Sequence, residues 1–569
     1  MQQIRSFLLH TKLGGLILVV CLSAFFYIGL GDVHLFDWDE INFAESAREM
    51  LESGNYTVVQ INYTPFWEKP PLFFWMQAIS MKIFGINEFA ARFPNAFFGL
   101  IYMVTIYVLG TRMKDMTFGI IWALLYFGSF LPHLYFKSGI IDPVFNYFIF
   151  LSVYFAYRVF EKDEKSFRNA IFSGLFSGLS FITKGPAGLL LLMLTVFVFV
   201  IFSLFSSKPE GKLFFRTRVQ YIRNQLFKIF LWKELVLFTF GFTLIVATWL
   251  SAEVYYHGFD ILIKFIQYQI ELFNTPVAGH GQPFYYHFVV VFIGCFPASV
   301  FAIPALKSSV DSISSSFRIW MISLFWVVMI LFSMSTTKIV HYSSMTYLPL
   351  TFLAASYLYC VYESRRFLKK YVIYLFVLLG LIWFFALTSV LSLLNHVELI
   401  IPYIKDEFAV RSLLNPVSWT GYEPAIGLFF LVGVFFSTYF FIVKRYMNAL
   451  FLVSITVGIS LMLMSLFIMP GIEKFTQGPA INFYKSLEDE DVYVETVGFK
   501  SYAQYFYFKT KPQSNSQRTD VKWLLYGDID KTVYLVTKVS NTELDSISDI
   551  QKLKTEGGFS FYIRKPSGR

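Results

Sequence analysis

Long apolar runs recur along this chain and constrain its fold more than any other feature. Repeated runs of about 20 residues indicate transmembrane helices. Of the 569 residues, 56% are hydrophobic and only 15% are charged, whereas a soluble protein has about 25% charged residues. A soluble multidomain enzyme, a disordered chain and a disulfide scaffold are therefore excluded. Thirteen candidate spans lie near 13–31, 94–111, 116–134, 138–157, 169–183, 186–206, 234–252, 286–306, 317–334, 340–360, 371–393, 424–443 and 448–470.

Basic residues are distributed unevenly between alternate loops. With the N-terminus inside, the inside loops contain 23 lysines and arginines, and the outside loops before residue 471 contain 10. This asymmetry predicts the orientation. It also explains the net charge of +9, so no nucleic-acid partner is expected. The loops 32–93, 253–285 and 394–423 then share the outside face with the C-terminal tail.

The sequence predicts an all-α polytopic membrane domain over 1–470 and a soluble α/β domain over 471–569. Within the tail, alternating or apolar stretches predict strands at 491–497, 523–526, 532–536 and 559–563. Residues 501–508 are predicted to form a short helix. A segment of about 100 residues is long enough for one small domain.

The first long outside loop contains most of the candidate chemistry. Residues 37–40, Asp-Trp-Asp-Glu, place three carboxylates just past the first span, and helices are predicted over 42–54 and 72–84. Glu68 and Lys69 precede the second helix, where a lysine could supply a point charge for a phosphate. The alternative interpretation is that the acids only flank the membrane and that Glu68-Lys69-Pro-Pro is a capped turn.

Further polar residues lie at the outer ends of later spans. Asp142 precedes a proline and could be a helix cap rather than a functional acid. Lys184 could simply mark the interface between two spans. His280 precedes an aromatic run, and Lys338 and Tyr342 could be a snorkelling lysine and an interface tyrosine. Each residue is nevertheless a candidate for the same outward-facing site.

An outward-facing site lacks access to nucleotide-activated donors from the cytoplasm, and the chain has no P-loop motif. The donor of a transferase would therefore arrive within the membrane, and a sugar linked to a polyprenyl phosphate meets that demand. Its leaving group would be a lipid phosphate, whose developing charge needs a cation such as Lys69. An acceptor hydroxyl would need a carboxylate as base.

Several stretches together resemble one family. Residues 39–50 resemble the D-E-x-R-Y-A-E…R-E-M stretch of the aminoarabinose lipid A transferases, and residues 68–72 match the family's E-K-P-P-L. Residues 88–94, 183–186 and 338–349 resemble its E-x-x-x-R-x-P, T-K-G-P and K-x-x-x-Y…L-P segments. These enzymes are polyprenyl-phosphate-dependent glycosyltransferases of the GT-C type, related to the protein O-mannosyltransferases. The similarity covers roughly residues 30–350.

The resemblance implies about thirteen transmembrane helices with two juxtamembrane helices in the first outside loop. It implies sugar transfer from undecaprenyl phosphate to lipid A, another glycolipid or a protein, on the periplasmic face of a bacterial inner membrane. By position, the resemblance assigns catalysis to Asp39 and Glu40, and contact with the donor phosphate to Lys69, Lys338 and Tyr342. It places Glu68, Asp142 and His280 in the cavity, where Glu68 and His280 could hold a divalent cation.

Two positions depart from the family pattern. Asn42 and Phe43 stand where the family has an arginine and a tyrosine, so a cation and a hydroxyl are missing. The sugar and the acceptor therefore stay open. A transporter or flippase of a lipid-linked substrate is the alternative function, and a non-catalytic lipid-binding scaffold is another. A transporter should place its polar groups at mid-membrane, whereas the candidates here cluster at the outer boundary.

Overall fold

The computed structural model describes residues 11–161, 165–206, 232–260, 263–267, 281–307, 315–335, 337–512 and 515–566. Long helices form most of these ranges, and a small sheet lies near the C-terminus. In chain order the helices up to the tenth are α1 Lys12–Ser23, α2 Asp39–Ser53, α3 Leu72–Phe84, α4 Glu88–Met113, α5 Met116–Phe127, α6 Phe130–Leu134, α7 Asp142–Phe160, α8 Ser166–Lys184, α9 Ala187–Ser206 and α10 Trp232–His257. They are followed by α11 Tyr286–Gly294, α12 Ala298–Lys307, α13 Ser315–Met334, α14 Tyr347–Glu363, α15 Lys370–Asn395, α16 Glu407–Leu413, α17 Ala425–Ile442, α18 Tyr446–Leu463, α19 Met469–Thr476, α20 Gly478–Ser486, α21 Ala503–Phe508 and α22 Val521–Tyr526.

The protein is a multi-span membrane protein. Among the described residues, eight helices are long and apolar enough to cross a membrane, and two bent pairs would bring the number to ten. Every predicted span coincides with one of these, with a shorter apolar helix or with α8, but thirteen crossings are not confirmed. The helix α8 falls short in hydropathy because it buries polar residues; Ser173, for example, exchanges hydrogen bonds with Ser152 of α7.

Two predicted single spans are bent helix pairs. The helices α5 and α6, with the 3₁₀ turn that follows them, meet at 79°, and α11 and α12 meet at 118°. The first break falls at Gly128 and Ser129, and the second precedes α12 at Pro297. Glycine–serine pairs and prolines are common causes of helix kinks, because they weaken or remove backbone hydrogen bonds.

The helices α8 and α10 pack unusually closely, and this contact fixes the position of α10. A Cβ at Gly174 would lie 2.0 Å from the Phe238 carbonyl oxygen, and a Cβ at Gly241 would lie 2.4 Å from that of Ile171. Small residues allow helix backbones in membranes to approach each other and pack tightly. The C-terminal end of α10 is thereby held beside the first long loop, where His257 and Thr57 share a hydrogen bond.

A short hairpin in the first long loop consists of β1 Gln60–Ile61 and β2 Thr64–Pro65. The C-terminal sheet consists of β3 Tyr493–Val497, β4 Val533–Lys538, β5 Ile550–Glu556 and β6 Phe559–Arg564. The strand order is β3-β4-β6-β5, with β3 parallel to β4 and the other pairs antiparallel. Among the sequence predictions, the strands near 491–497, 532–536 and 559–563 and the helix near 501–508 are confirmed.

The predicted strand at 523–526 is wrong, because these residues belong to α22. The Asp520 carboxylate accepts a hydrogen bond from the Lys522 amide at 2.9 Å and so caps this helix. The edge strand β5 was not predicted. Most of its residues are exposed, and without an alternating apolar pattern the sequence gives little strand signal.

The sheet region packs directly on the first long loop. One hydrophobic core contains Ile41 and Ala44 of α2 together with Phe506 and Tyr507 of α21. The Leu35 amide donates a hydrogen bond to the Tyr507 hydroxyl at 2.7 Å. The predicted domain boundary at 470 stays a prediction; it falls within the continuous helical run from Tyr446 to Thr476.

Candidate active site

A buried ion pair fixes the start of α2. The Arg92 guanidinium of α4 donates to both carboxylate oxygens of Glu40, at 3.0 and 2.9 Å. Its remaining N–H groups donate to three backbone carbonyls between residues 30 and 34. The Glu40 carboxylate also accepts hydrogen bonds from the amides of Phe36, at 2.9 Å, and Gly139, at 2.5 Å.

All strong hydrogen-bonding positions of Glu40 are thus occupied by the protein. Burial disfavours its charged form, but the Arg92 guanidinium and the two backbone amides outweigh burial and hold the pKa of Glu40 below its ordinary value. A carboxylate in these surroundings is suited to holding the chain in place. The sequence assigned Glu40 to catalysis together with Asp39, and that assignment stays a prediction that this geometry does not favour.

Asp39, the first residue of α2, has very different surroundings. Its side chain is 32% exposed, and its Oδ2 lies 3.6 Å from Nε2 of His341. The same histidine nitrogen lies 3.9 Å from Asp142 Oδ2. On the far side of Asp142, Oδ1 accepts a hydrogen bond from Lys184 at 2.7 Å. A chain of alternating acidic and basic groups therefore leads from the accessible Asp39 into the bundle.

The C-terminal region holds the residues just before Asp39. The Tyr502 amide donates to Asp37 Oδ1 at 3.3 Å. The ammonium of Lys500 lies 4.9 Å from the centre of the Trp38 ring, a distance suitable for a cation–π contact. Asp39 is thus supported from the bundle side by the Glu40 ion pair and from the outer side by the C-terminal region.

Lys69 lies next to this chain of charges, two residues before the Pro71 cap of α3. Its ammonium contacts the Glu68 carboxylate at 2.5 Å. Its charge also acts on Asp142, His341 and Tyr342. The charges of Asp39 and Lys69, one from each sequence cluster, therefore act on the same residue, His341.

Of the remaining predicted site residues, Tyr342 lies in this cluster, and no described contact links Lys338 to it. The Tyr342 ring lies 5.5 Å from the Lys184 ammonium, so it belongs to the same cluster. Lys338 donates to the Ser335 carbonyl at 2.5 Å, and no hydrogen bond or ion pair among the described parts of the chain links it to Asp39, Lys69 or Asp142. His280 lies outside the described residues.

Of the candidate cation site, Glu68 lies within the described residues. This carboxylate is engaged with Lys69, which would compete with any metal ion for it. In the described ranges, no group of three or more His, Cys, Asp or Glu side chains is arranged to hold a metal ion. The described residues therefore do not by themselves form a divalent-cation site, and the pairing of Glu68 with His280 stays a prediction.

Arg92 and His341 are central to the site but were not predicted from the sequence, and Lys184, whose role was left open between an interface marker and a site residue, is central as well. Each carries a signal in the sequence, because Arg92 and Lys184 lie in segments that resemble the family and His341 immediately precedes Tyr342. Their roles depend on contacts between distant helices, which spacing along the chain does not reveal.

The two positions that depart from the family pattern are both buried in α2. The Phe43 ring packs edge-on against Phe73 and Phe74 of α3, with centroid distances of 6.0 and 5.6 Å. The Asn42 side-chain oxygen is buried and has no hydrogen-bond partner within the described residues. At these two positions the face of α2 is consequently less polar than the family pattern implies.

A second buried charge network connects α2 to the C-terminal region. Arg48 donates two hydrogen bonds of 2.7 Å to Glu45 and one of 2.8 Å to the Thr510 carbonyl. Glu49 lies beside them and accepts a hydrogen bond from the Tyr63 amide at 2.8 Å. Burial raises the pKa of Glu49 to about 9, and the nearby Glu45 carboxylate adds to the rise.

We expect Glu49→Gln to flatten the pH dependence of stability. The pKa of Glu49 is about 9 in the folded protein and about 4.5 in the unfolded chain. At pH values between these two, Glu49 keeps its proton when the protein is folded and loses it on unfolding. The contribution of protonated Glu49 to the free energy of unfolding is therefore complete below pH 4.5 and is lost as the pH rises to about 9. A single such group contributes a slope of up to about 1.4 kcal/mol per pH unit.

Unfolding midpoints of the full-length protein in detergent, measured from pH 6 to pH 9, test this expectation. The matched control is Glu52→Gln, at an exposed position on the same helix, which should follow the wild-type curve. Parallel curves for wild type and Glu49→Gln would contradict the assignment.

Known proteins resemble this chain both in sequence and in fold. A family model described as dolichyl-phosphate-mannose-protein mannosyltransferase matches residues 68–215, a range that includes Lys69, Asp142 and Lys184. The crystal structure of ArnT from Cupriavidus metallidurans bound to undecaprenyl phosphate superimposes with a TM-score of 0.73 at 15% identity, covering 97% of this chain and 98% of that chain. The chain has the GT-C fold and resembles the aminoarabinose transferases.

Relatives found by sequence are also named as aminoarabinose transferases. The undecaprenyl phosphate-alpha-4-amino-4-deoxy-L-arabinose arabinosyl transferase of Wigglesworthia glossinidia brevipalpis is 24% identical over 360 residues, which are 62% of this chain and 60% of the relative. A second such transferase, from Proteus mirabilis, is 26% identical over 290 residues, 50% of this chain and 48% of that protein. The chain thus aligns with about half to three fifths of the length of these two aminoarabinose transferases.

Proposed function

We propose that the chain is an integral-membrane glycosyltransferase that moves a sugar from a polyprenyl-phosphate donor to lipid A or another periplasmic acceptor. In this proposal, residues 1–470 form the membrane domain, and residues 471–569 form a periplasmic domain that covers the site. The bacterial inner membrane is the proposed location. The names of the aminoarabinose transferase relatives support the donor class, and the undecaprenyl phosphate in the ArnT crystal also supports it.

One observation carries the proposal: an accessible carboxylate and a lysine from separate parts of the first loop converge on a buried acid–base chain. Asp39 lies 3.6 Å from His341, and the charge of Lys69 acts on His341 and Asp142. Transfer from a lipid phosphate needs a group that acts on the acceptor and a cation that stabilises the phosphate. We assign the first role to Asp39 and the second to Lys69.

In the proposed reaction the acceptor oxygen attacks the anomeric carbon of the sugar. The bond between this carbon and the phosphate oxygen breaks, and its electron pair leaves with the polyprenyl phosphate. Lys69 stabilises the charge that develops on the phosphate. With a hydroxyl acceptor, Asp39 takes the proton; with an acceptor phosphate, which is already ionised, Asp39 instead orients the acceptor or stabilises positive charge on the sugar.

The buried part of the charge chain would keep these groups in position. Lys184 neutralises Asp142 at 2.7 Å, and both lie at helix ends, Asp142 at the start of α7 and Lys184 at the end of α8. His341 lies in the turn before α14. Clustering at helix ends favours chemistry at a membrane boundary over a transport site at mid-membrane.

The function is tested by mass spectrometry of lipids and secreted proteins from cells with and without the gene. We expect a pentose- or hexose-sized modification to be absent when the gene is deleted. Purified protein should then transfer the same sugar from its undecaprenyl phosphate conjugate to the identified acceptor. Movement of the intact donor across vesicles without any transfer would favour the transporter instead.

We expect Lys69→Ala to weaken binding of undecaprenyl phosphate roughly 10- to 100-fold. A hydrogen bond to a charged group contributes roughly 1.5–3 kcal/mol, and the variant also leaves Glu68 without its cation beside the phosphate. Binding of the lipid to purified protein provides the measurement. Lys82→Ala, at an exposed position at the other end of α3, is the control, and equal affinities for Lys69→Ala and wild type would contradict phosphate contact.

A further inference from the structure

A cleft at the outer end of α10 contains a second polar group beside Lys69. Its walls come from the first loop, including Val58, Phe66 and Lys69, and from Leu250 and Glu253 of α10. The cleft has a cavity volume of about 30 Å³, enough for a small polar group. It therefore joins the proposed phosphate contact to a helix that is apolar enough to cross a membrane.

Glu253 is the unusual residue of this cleft. It is only 5% exposed, and its Oε1 accepts a hydrogen bond from the indole N–H of Trp249 at 3.0 Å. Its Oε2 is buried and has no hydrogen-bond partner within the parts of the chain that the structure describes. A buried polar atom without a partner costs roughly 1–3 kcal/mol, and more when it is charged.

The position of Glu253 also makes a purely structural role unfavourable. It lies in the last two turns of α10, near the negative end of the helix dipole, where a carboxylate is destabilised. Ionisable residues within membrane spans are costly and usually mark functional sites. Among the described residues nothing pairs with Oε2, whereas a ligand that donates a hydrogen bond would satisfy it.

We propose that Glu253 recognises a hydrogen-bond-donating substituent, a hydroxyl or an ammonium, on the sugar of the lipid-linked donor. This inference rests on the proposed function, in which Lys69 binds the phosphate of the same donor. Because the sugar is attached directly to that phosphate, one of its substituents can reach the cleft that Lys69 and Glu253 both line. Glu253 is thus a specificity residue, and Asp39 remains the proposed catalytic carboxylate.

Binding to the full-length protein tests the inference with three probes. These are undecaprenyl phosphate alone, undecaprenyl phosphate carrying mannose, and undecaprenyl phosphate carrying 4-amino-4-deoxy-L-arabinose. We expect Glu253→Gln to weaken binding of at least one glycosylated probe about tenfold or more and to leave binding of the bare lipid unchanged. A loss confined to the amino-sugar probe would identify an ammonium, and a loss that includes the mannose probe would identify a hydroxyl.

Matched variants keep the result interpretable. Glu234→Gln, at the opposite end of α10, should bind all three probes like wild type. Glu253→Asp, which retains the charge on a shorter side chain, should show a smaller selective loss, and it serves as the test if Glu253→Gln does not fold. Lys69→Ala should weaken all three probes.

Two different failures are distinguishable. If the Glu253 variants and wild type bind the glycosylated probes equally, or if the variants lose the bare lipid to the same extent, the role of Glu253 is overturned while the proposed function stands. If wild type itself binds none of the probes, the proposed function is overturned, and the role of Glu253 is overturned with it.

Discussion

Replacement of Asp39 by asparagine should lower the rate of sugar transfer by roughly 10²- to 10⁴-fold, the usual contribution of a positioned general base. Asparagine has nearly the same shape, so α2 should keep its start and the Glu40–Arg92 pair should stay intact. What is lost is the negative charge 3.6 Å from His341 and the ability to accept a proton. We therefore expect a fall in kcat with little change in the KM for the donor.

The measurement is single-turnover transfer from the undecaprenyl phosphate sugar by protein in lipid nanodiscs. Asp32→Asn, an exposed acid in the same loop, should transfer at the wild-type rate, and both variants should have wild-type unfolding midpoints. If Asp39→Asn transfers as fast as wild type, the catalytic assignment is removed. A rise in donor KM alone would instead place Asp39 among the residues that bind the substrate.

Much of the fold could be predicted because membrane helices have a simple sequence signal. The helix over 72–84 was predicted at the bounds of α3 because prolines precede it, and in the structure it ends at Gly85. Gly54, with a φ of +68°, ends α2 in the left-handed conformation that glycine tolerates. The span predicted at 169–183 coincides with α8, although this helix is less apolar than the other spans and its Ser173 exchanges hydrogen bonds with Ser152 of α7.

The site was predictable in part. Asp39 and Lys69 stood out because charges clustered in a loop beside a membrane. Glu253 did not, because one acid in an apolar run gives no information about the pocket that its helix lines. Likewise, Asp142 was ambiguous between a helix cap and a functional acid, and only its contact with Lys184, 42 residues away, identifies it as part of a buried ion pair.

Replacement of Arg92 by methionine should destabilise the protein by roughly 3–5 kcal/mol, the usual cost of removing one partner of a buried ion pair. The variant leaves Glu40 as an unpaired buried charge and removes donors from the carbonyls of Leu30, Val33 and His34. A lowered unfolding midpoint in detergent is the expected result. Arg112→Met, an exposed arginine at the other end of α4, should stay within about 0.5 kcal/mol of wild type.

The double variant Glu40→Gln with Arg92→Met separates a structural role of this pair from a catalytic one. Because a neutral side chain replaces the stranded carboxylate, the double variant should be more stable than Arg92→Met alone. Glu40→Gln alone should keep measurable transfer, since Asp39 retains its charge, whereas a catalytic Glu40 would make this variant as slow as Asp39→Asn. A loss of transfer equal to that of Asp39→Asn, at an unchanged unfolding midpoint, would show that Glu40 acts in the reaction rather than in holding α2 against α4.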